Sequence, residues 1–230
     1  MNKYTHTDKL LIAVDCIIFG FSERKLQLLL VKRDIEPELG QWSLMGGFLF
    51  ANESLDQGAQ RVLHKLTGLE NVYLEQLYSF GEVGRDPVDR TISVAYFALI
   101  NMGDHAPEIS GQYHANWFPI DNLPYLIFDH PQMVRKAQDQ LRYRATHHPI
   151  GFELLPEKFT LPELQSLYEA IFEQHIDRGN FHRRIRSLDV LIKLEEKQRG
   201  YSKKGAYYYT FDEKKYRERM QSGANFLIKP

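Results

Sequence analysis

The best candidates for a chemical site in this sequence lie between residues 46 and 69. Two glycines, Gly46 and Gly47, precede a segment that carries Glu53 and Arg61. A glutamate is a possible ligand for a divalent cation, and an arginine can brace a loop. Glu53 alone would make a poor magnesium site, because Mg²⁺ needs several oxygen ligands in a near-octahedral arrangement.

A strand, a glycine-rich loop and a helix must position these residues. Asn52, Glu53 and Ser54 are all suitable residues for the start of a helix. Gly68 is suited to end it, because glycine readily adopts the left-handed conformation at a helix C-terminus. Apolar residues recur between these points at helical spacing: Leu55, Ala59, Val62, Leu63 and Leu66.

This segment resembles the Nudix box, a loop-helix-loop in which a glycine precedes a glutamate, an Arg-Glu pair, two further glutamates and a final glycine. The preceding segment, Gly40–Phe48, also follows the Nudix pattern, although Met45 stands where a proline is common. The residues that match the box are Gly47, Glu53, Arg61, Leu63, Gly68 and Leu69.

Three positions of the box depart from the family pattern. Val62, Lys65 and Leu66 stand where the family carries its metal-binding glutamates. These positions share one face of a helix, where three carboxylates would hold Mg²⁺ against a pyrophosphate. Because a valine, a lysine and a leucine cannot do so, we expect no catalytic residues, no metal, no cofactor and no enzymatic activity. An active Nudix hydrolase remains the alternative.

Charge is distributed unevenly along the chain. Residues 1–156 carry 14 Lys+Arg against 19 Asp+Glu, a net −5, whereas residues 157–230 carry 15 against 11, a net +4. Between Arg178 and Lys204 there are nine basic and three acidic residues. A basic terminal region on an acidic body suggests a polyanionic partner.

The basic region has the pattern of a winged helix-turn-helix. Thr160 and Glu163 have the spacing of a capping box at the start of a helix. A short turn leads to a second helix, predicted at 178–192, whose apolar stripe is surrounded by arginines. Two predicted strands, 191–197 and 206–211, then enclose a basic tip bounded by glycines, which is typical of a wing.

Hydrophobic patterning in the first half predicts strands and helices that form an α/β/α sandwich over roughly residues 8–146. A break at 147–151 indicates a domain boundary. We therefore expect a first domain at residues 1–150 and a second at 151–230. The predicted elements besides the box helix are strands 10–19, 26–33, 72–80 and 91–100 and a helix at 129–144.

Together the two halves resemble the Nudix-related transcriptional regulators of bacteria. The resemblance implies an α/β (α+β) fold, in which a Nudix-like α/β/α sandwich is followed by a winged helix-turn-helix domain. It also implies a homodimeric repressor that binds a palindromic operator in double-stranded DNA and releases it on binding an effector. The motifs that carry it are Phe159-Thr160-Leu161, Leu164-Gln165-x-x-Tyr168-Glu169-Ala170-Ile171 and Asp177-Arg178-x-Asn180-Phe181-x-Arg183-Arg184.

The second helix and the wing supply the predicted DNA-binding residues. Asn180 is suited to bond adenine, and Arg178 or Arg183 to bond guanine, in the major groove. Basic residues on the wing would meet phosphates, which gives affinity without sequence preference. The full predicted set is Arg178, Asn180, His182, Arg183, Arg184, Arg186, Arg199, Lys203 and Lys204.

The effector is predicted to be an uncharged pentose such as L-arabinose, which implies control of sugar-utilisation genes. The reason is that the box has lost its metal carboxylates, while carboxylates such as Asp15 and Glu82 suit sugar hydroxyls and would repel phosphates. ADP-ribose or a related NAD metabolite is the alternative. Asp15 could instead be a structural residue, and Trp42 a core residue. The predicted effector-binding residues are Asp15, Arg33, Trp42, Glu82, Arg90 and Tyr96.

The remaining features suggest a cytoplasmic protein. The single cysteine, Cys16, lies in an apolar run and cannot form an internal disulfide, which suits a reducing compartment. No signal peptide opens the sequence, and no apolar run reaches the roughly 18 residues of a membrane span. We therefore expect no association with a membrane.

Overall fold

The computed structural model describes residues 7–70, 72–103, 114–148, 152–198, 205–223 and 226–228. These residues fall into two compact units. The first contains the described residues of 7–18, 29–98 and 114–137, and the second contains those of 19–28, 99–103 and 138–228. The division differs from the predicted boundary near residue 150. No described helix is long and apolar enough to cross a membrane.

A mixed sheet of seven strands is the largest element of the fold, with the order β3-β2-β1-β6-β5. β4 also pairs with β1, and β7 with β2. β1 and β2, predicted as strands 10–19 and 26–33, form a hairpin whose turn residues Glu23 and Arg24 have φ of 51° and 62°. Positive φ at both positions is the geometry of a tight hairpin turn. The strands are β1 (Leu11–Ser22), β2 (Lys25–Lys32), β3 (Trp42–Ser43), β4 (Met45–Phe48), β5 (Glu75–Phe80), β6 (Thr91–Leu99) and β7 (Ala115–Pro119).

Helix α1 (Leu55–Thr67) begins and ends at two of the predicted residues. Ser54 is the N-cap and forms a reciprocal capping box with Gln57. Gly68 ends the helix with a φ of 74° and donates its N–H to the carbonyl of His64. Val62 and Leu63 are buried, which confirms the predicted apolar face.

Helix α2 (His130–His147) corresponds to the helix predicted at 129–144. Its predicted apolar stripe is buried, with Met133, Val134, Ala137 and Leu141 each at most 2% exposed. Residues 130–137 belong to the first unit, and the rest of the helix belongs to the second. In the second unit, Arg142 pairs with Glu173 (2.7 Å).

The winged helix-turn-helix in the second unit is built on a three-stranded sheet with the order β8-β10-β9. The side chains of Leu164, Leu167, Phe181 and Ile185 form its buried core. Its elements are β8 (Phe159–Thr160), α3 (Leu161–Phe172), α4 (Arg178–Leu188), β9 (Leu191–Gln198), β10 (Ala206–Phe211) and α5 (Glu213–Gln221).

The basic helix α4 is shorter than the predicted 178–192. It ends at Leu188 because Asp189 adopts the left-handed conformation, with a φ of 55°. The Asp189 carboxylate then pairs with Lys215 (2.8 Å) and Arg219 (3.3 Å) of α5. The polypeptide is thereby turned into β9, and the wing can begin at Leu191.

Candidate functional site

A cavity of about 210 Å³ opens in the first unit beside the paired glycines of β4. Pockets that enclose a drug-sized ligand have volumes of about 300–1,000 Å³. The cavity therefore has room for part of a ligand of that size. The residues of its wall that matter below are Ala13, Asp15, Lys32, Arg33, Gly46, Gly47, Leu66, Arg85, Phe128 and His130.

A buried charge network forms the floor of this cavity. The side chain of Arg85 is 4% exposed and makes a bidentate ion pair with Asp129, at 2.9 Å and 2.7 Å. A guanidinium nitrogen of Arg85 also lies 3.8 Å from Asp15. The Asp15 carboxylate accepts a short hydrogen bond from the hydroxyl of Ser93. Asp15 therefore lines the cavity as a carboxylate that is hydrogen-bonded to Ser93 and shares the Arg85 cation with Asp129.

His130 completes the network as a neutral ring. Its Nδ1 accepts a hydrogen bond from the backbone N–H of Leu44 (3.2 Å), which leaves the proton on Nε2. Nε2 lies 3.7 Å from Asp15 Oδ1. Burial lowers the pKa of His130 below its ordinary value, although Asp15 and Asp129 act in the opposite direction.

The two glycines let the chain pass close to this network. A Cβ on Gly46 would lie 2.3 Å from Asp15 Oδ1, and a Cβ on Gly47 would lie 2.8 Å from a methyl group of Val62. Real Cβ atoms do not approach other atoms so closely, so neither position accepts a side chain without displacement. The glycines therefore keep both Asp15 and the box helix against β4.

Phe128 and Arg33 form an aromatic and cationic part of the wall. The Arg33 guanidinium lies 5.2 Å from the centre of the Phe128 ring, a cation–π contact. Its Nε also donates to the carbonyl oxygens of Ile35 (3.1 Å) and Pro37 (2.6 Å). Phe128 has a φ of 49°, which is rare for a bulky residue. Strained backbone of this kind clusters at ligand sites.

Glu53 and Arg61, the charged residues retained from the Nudix box, are paired with each other. Arg61 Nε donates to Glu53 at 2.8 Å, and Glu53 accepts the backbone N–H of Phe50 at 2.8 Å. The hydrogen bonds from Arg61 lower the pKa of Glu53 to about 2. Arg61 also donates to the carbonyl of Phe48 (2.9 Å). The pair therefore braces the loop that precedes α1.

The residues at the family's metal-binding positions do not fit Mg²⁺. Val62 is 2% exposed and lies beneath Gly47, whereas Leu66 forms part of the cavity wall. Lys65 is exposed and carries the wrong charge. Across the described parts of the chain, no three His, Cys, Asp or Glu residues are grouped in a way that could hold a metal ion.

The cavity contains two of the six predicted effector-binding residues, Asp15 and Arg33. Trp42 packs edge-on against Phe118, at 4.7 Å between ring centres. Glu82 and Arg90 lie in a separate loop region, where Arg90 donates to the carbonyl oxygen of Gly81 (2.8 Å).

Tyr96 also lies away from the cavity wall. It is 1% exposed, and its hydroxyl donates to Asp56 (2.7 Å). The predicted effector-binding set did not include Arg85, Phe128 or His130, which line the cavity. The sequence signal nearest to these residues is the pair His130-Pro131, because a proline at this position is typical of a helix start.

In the second unit, two polar residues of α3 fix the turn between the helices. The side-chain amide of Gln165 donates to the carbonyl oxygen of Ile176 (3.0 Å). Glu169 accepts the backbone N–H of Ile176 (3.1 Å). Ile176 itself is 3% exposed. These two hydrogen bonds and the burial of Ile176 set the start of α4, and Asp177 then caps it by accepting the N–H of Asn180 (2.8 Å).

Helix α4 exposes most of its predicted DNA-binding residues. Arg178, Asn180, Arg183 and Arg186 are exposed, and His182 is half-buried. Arg184 differs, because its Nε donates to the carbonyl oxygen of Leu227 (2.8 Å). This contact turns Arg184 toward the C-terminal segment. The three predicted wing residues, Arg199, Lys203 and Lys204, lie outside the described residues.

Comparison with protein families gives two matches. A model of the NUDIX domain matches residues 9–139, and a model of the NrtR DNA-binding winged helix domain matches residues 151–211. A protein of Acinetobacter baylyi described as an ADPR responsive transcriptional repressor, NtrR, is 33% identical over 205 residues. The alignment covers 87% of this chain and 82% of that protein.

Two solved structures of one relative are also similar. NrtR of Shewanella oneidensis in complex with a 27mer DNA aligns with a TM-score of 0.78 and 32% identity, covering 87% of this chain and 93% of that one. The NUDIX domain of the same protein in complex with ADP ribose aligns with a TM-score of 0.50 and 32% identity, covering 59% and 90%. The first match confirms the predicted fold class, a Nudix-like fold followed by a winged helix domain.

Proposed function

Because this chain belongs to the Nudix family, within the group that carries an NrtR-type DNA-binding winged helix domain, we propose that it is a transcriptional repressor that releases DNA on binding an ADP-ribose-type ligand. The observation that carries the proposal is the joint presence of an exposed basic helix α4 and a wing on a chain that is similar to a DNA-bound structure along 87% of its length. The proposal keeps residues 1–150 as the effector domain and 151–230 as the DNA-binding domain.

The proposed partner of the second domain is double-stranded DNA. The N-terminal half of α4 would lie in the major groove, with Asn180 and Arg183 at base edges. One recognition helix reads only a short half-site, so we propose that a homodimer binds a palindromic operator.

An ADP-ribose-type effector is favoured over a pentose for two reasons. The relatives described above are an ADPR-responsive repressor and a NUDIX domain in complex with ADP ribose, so they support the nucleotide alternative rather than the arabinose prediction. The structure also weakens the physical objection to phosphates. Asp15 is already engaged by Arg85 and Ser93, and Glu82 lies outside the cavity, so neither presents a carboxylate without protein partners to a ligand there.

The cavity would hold one part of such a ligand. Its wall combines the Phe128 ring with the cations Lys32 and Arg33, a set that suits an aromatic or sugar ring bearing phosphate. The remainder of the ligand would extend beyond the cavity, because its volume is below that of a pocket enclosing a drug-sized molecule.

Binding without turnover is the proposed state of the Nudix domain. The metal that would neutralise a pyrophosphate and activate water in this family has no carboxylate ligands at Val62, Lys65 and Leu66. The chain's own residues would therefore bind and orient the ligand, while Leu66 presents an apolar side chain to the cavity.

The ligand can act as a switch only through unequal affinity for two states. It must bind the DNA-incompetent state more tightly than the DNA-competent state, and the ratio of the two affinities limits the shift. The same coupling requires that DNA weaken binding of the ligand by an equal factor.

Two measurements on one preparation test the proposed effector. Gel shift is carried out with DNA from upstream of the neighbouring genes, with and without ADP-ribose, L-arabinose or D-xylose. Calorimetry measures binding of the same three compounds. We expect ADP-ribose to bind and to release the DNA, and both pentoses to be inert. Release by either pentose with no binding of ADP-ribose would restore the sugar-responsive interpretation.

Light scattering tests the proposed homodimer. We expect a mass near twice the 27.0 kDa of the chain at micromolar concentration, and two protomers on each operator. A monomer in solution that also binds the operator singly would remove the dimer from the proposal.

A further inference from the structure

A second cleft lies in the second unit, between helix α4 and strand β10. It is lined by basic, aromatic and small residues from α4, from the start of α3 and from the wing. Within the described residues, its wall contains no carboxylate. The lining residues are Leu161, Pro162, Arg178, His182, Arg186, Gly205, Ala206, Tyr207 and Tyr209.

Helix geometry separates this cleft from the outer face of α4. Arg178, His182 and Arg186 are spaced four residues apart, so they follow one side of the helix. Asn180 and Arg183 are not part of the cleft wall, although they are exposed like Arg178 and Arg186, whereas His182 is half-buried. The helix therefore presents two different surfaces, a recessed one beside the wing and an outer one.

His182 has a polar atom that lacks a partner. Its Nε2 is buried, and no hydrogen-bond partner for it occurs among the described residues. Burial, followed by the positive charges of Arg178 and Arg186, lowers the pKa of His182. Buried polar atoms are nearly always hydrogen-bonded, so this nitrogen is available to a bound partner. His182 also forms a hydrogen bond with the backbone of Leu161. An anion held by both guanidinium groups would favour the protonated ring, whose Nε2 can then donate to it.

Strand β9 of the wing places two lysine side chains against the aromatic ring of Tyr207. The ammonium groups of Lys193 and Lys197 lie 3.7 Å and 4.3 Å from the centre of the Tyr207 ring. These contacts hold two cations beside a residue of the cleft wall. Glu195 and Glu196 lie between them on β9, so residues 193–197 carry no net charge.

Gly205 lies in the cleft wall, immediately before strand β10 of the wing. It has a φ of 68°, and a Cβ at this position would lie 2.9 Å from the carbonyl oxygen of Gln198. A side chain there would strain the backbone and press against β9. The glycine therefore keeps the start of β10 close to the end of β9.

We propose that this cleft is a phosphate seat, in which Arg178, His182 and Arg186 hold one backbone phosphate of duplex DNA against the Tyr207 side. Base reading is then left to Asn180 and Arg183 on the outer face. This assignment rests on the proposed DNA binding and changes one predicted role, because Arg178 becomes a phosphate ligand rather than a guanine reader. A phosphate fits because it offers only acceptors, whereas the guanidinium groups of Arg178 and Arg186 offer only donors.

Fluorescence anisotropy with two labelled duplexes tests the assignment on the full-length chain. One duplex is selected by the wild-type chain from a pool of random sequence, and the other is a mixed-sequence duplex of the same length. The variants are R186Q, H182L and R183Q. The control K214Q removes one exposed charge from α5, outside the cleft. Thermal unfolding of each variant confirms that it folds.

R186Q is expected to weaken binding to both duplexes by the same factor and to reduce the slope of log K against log salt concentration by about one per protomer bound. H182L is expected to weaken both complexes equally. R183Q is expected to lose most of its affinity on the selected duplex alone. K214Q is expected to match wild type.

Two results would overturn the assignment while leaving DNA binding intact. One is a loss in R186Q that is confined to the selected duplex, as expected for a base reader. The other is behaviour of R186Q and H182L that matches K214Q. A wild-type chain that selects no sequence and binds neither duplex would instead overturn the proposed function together with the phosphate seat.

Discussion

Replacing Arg85 by methionine should destabilise the first unit strongly. The Arg85 side chain is 4% exposed, and its partners Asp129 and Asp15 are 12% and 7% exposed. Methionine keeps much of the volume but removes the cation, which leaves two buried carboxylates without their main counter-charge. Breaking a buried pair in this way costs about 3–5 kcal/mol, whereas an exposed pair contributes about 0–1 kcal/mol.

Urea unfolding can measure this loss in the first unit specifically. Both tryptophans, Trp42 and Trp117, belong to that unit, so their fluorescence reports its unfolding. With a denaturant slope of about 2 kcal/mol per molar urea, a loss of about 4 kcal/mol lowers the midpoint by about 2 M. The matched control R135M removes an exposed arginine of α2. It should change the free energy of unfolding by less than about 0.5 kcal/mol.

A second substitution shows whether the cost comes from the uncompensated charge. Adding D129L to R85M removes the acceptor as well as the donor, and should recover part of the lost stability. The reasoning is refuted if R85M lowers the midpoint by less than about 0.5 M, which corresponds to about 1 kcal/mol. It is also refuted if the loss of stability in the double variant equals the sum of the losses measured for R85M and D129L separately.

Three further predictions concern the second unit and the cavity. Asn180→Ala and Arg183→Ala should each weaken specific DNA binding by about 1–3 kcal/mol and relax base preference at one position, as measured by anisotropy on single-base variants of the selected duplex. Gly205→Ala should lower stability by about 1 kcal/mol or more, because alanine is strained at a φ of 68°, and thermal unfolding checks this. Burial holds the pKa of folded His130 below its ordinary value of 6.5, so the unfolded chain takes up the proton first. Wild type should therefore lose stability as the pH falls through 6.5, relative to His130→Asn, in urea unfolding between pH 7.5 and 5.5.

Each of these predictions has a contradicting outcome. Equal losses on every base variant would show that Asn180 and Arg183 do not read bases. An unchanged melting temperature in the glycine variant would show that the wing tolerates a side chain. Parallel pH dependence of wild type and the His130 variant would show that the buried ring does not titrate differently on unfolding.

The local signals in the sequence were sufficient to predict most helices and strands. Ser54, Gly68 and Thr160 act as caps through contacts with residues at most four positions away, so their roles follow from short spacing. Helix α4 was predicted too long because Asp189 adopts the left-handed conformation. Tertiary contacts with Lys215 and Arg219 accompany that conformation, and spacing alone does not reveal them.

The cavity could be predicted only in part, since distant segments build it. Arg85 meets Asp129 across 44 positions, and Ser93 meets Asp15 across 78. Tyr96 was predicted near the ligand, but it is three positions from Ser93 on the same strand. Neighbouring side chains of a strand alternate between faces, so residues three apart point in opposite directions. Because β6 is buried on both faces, its sequence does not show which face lines the cavity.

The chemical class of the effector was the property that the sequence predicted least well. The argument for a pentose treated Asp15 and Glu82 as carboxylates that a ligand would meet directly. The structure shows that Asp15 already has protein partners and that Glu82 lies elsewhere. The charge that a site presents depends on which side chains are already paired, and those pairings are long-range.

The central claim is that one chain releases DNA on binding an ADP-ribose-type ligand without consuming it. The most direct measurement is anisotropy of the labelled selected duplex during titration with ADP-ribose and Mg²⁺, followed by chromatography of the nucleotide from the same samples. We predict that the DNA is released in proportion to bound ligand and that the ADP-ribose is recovered intact. Conversion of ADP-ribose to AMP and ribose phosphate at enzyme-like rates, or DNA that stays bound at saturating ligand, would contradict the account.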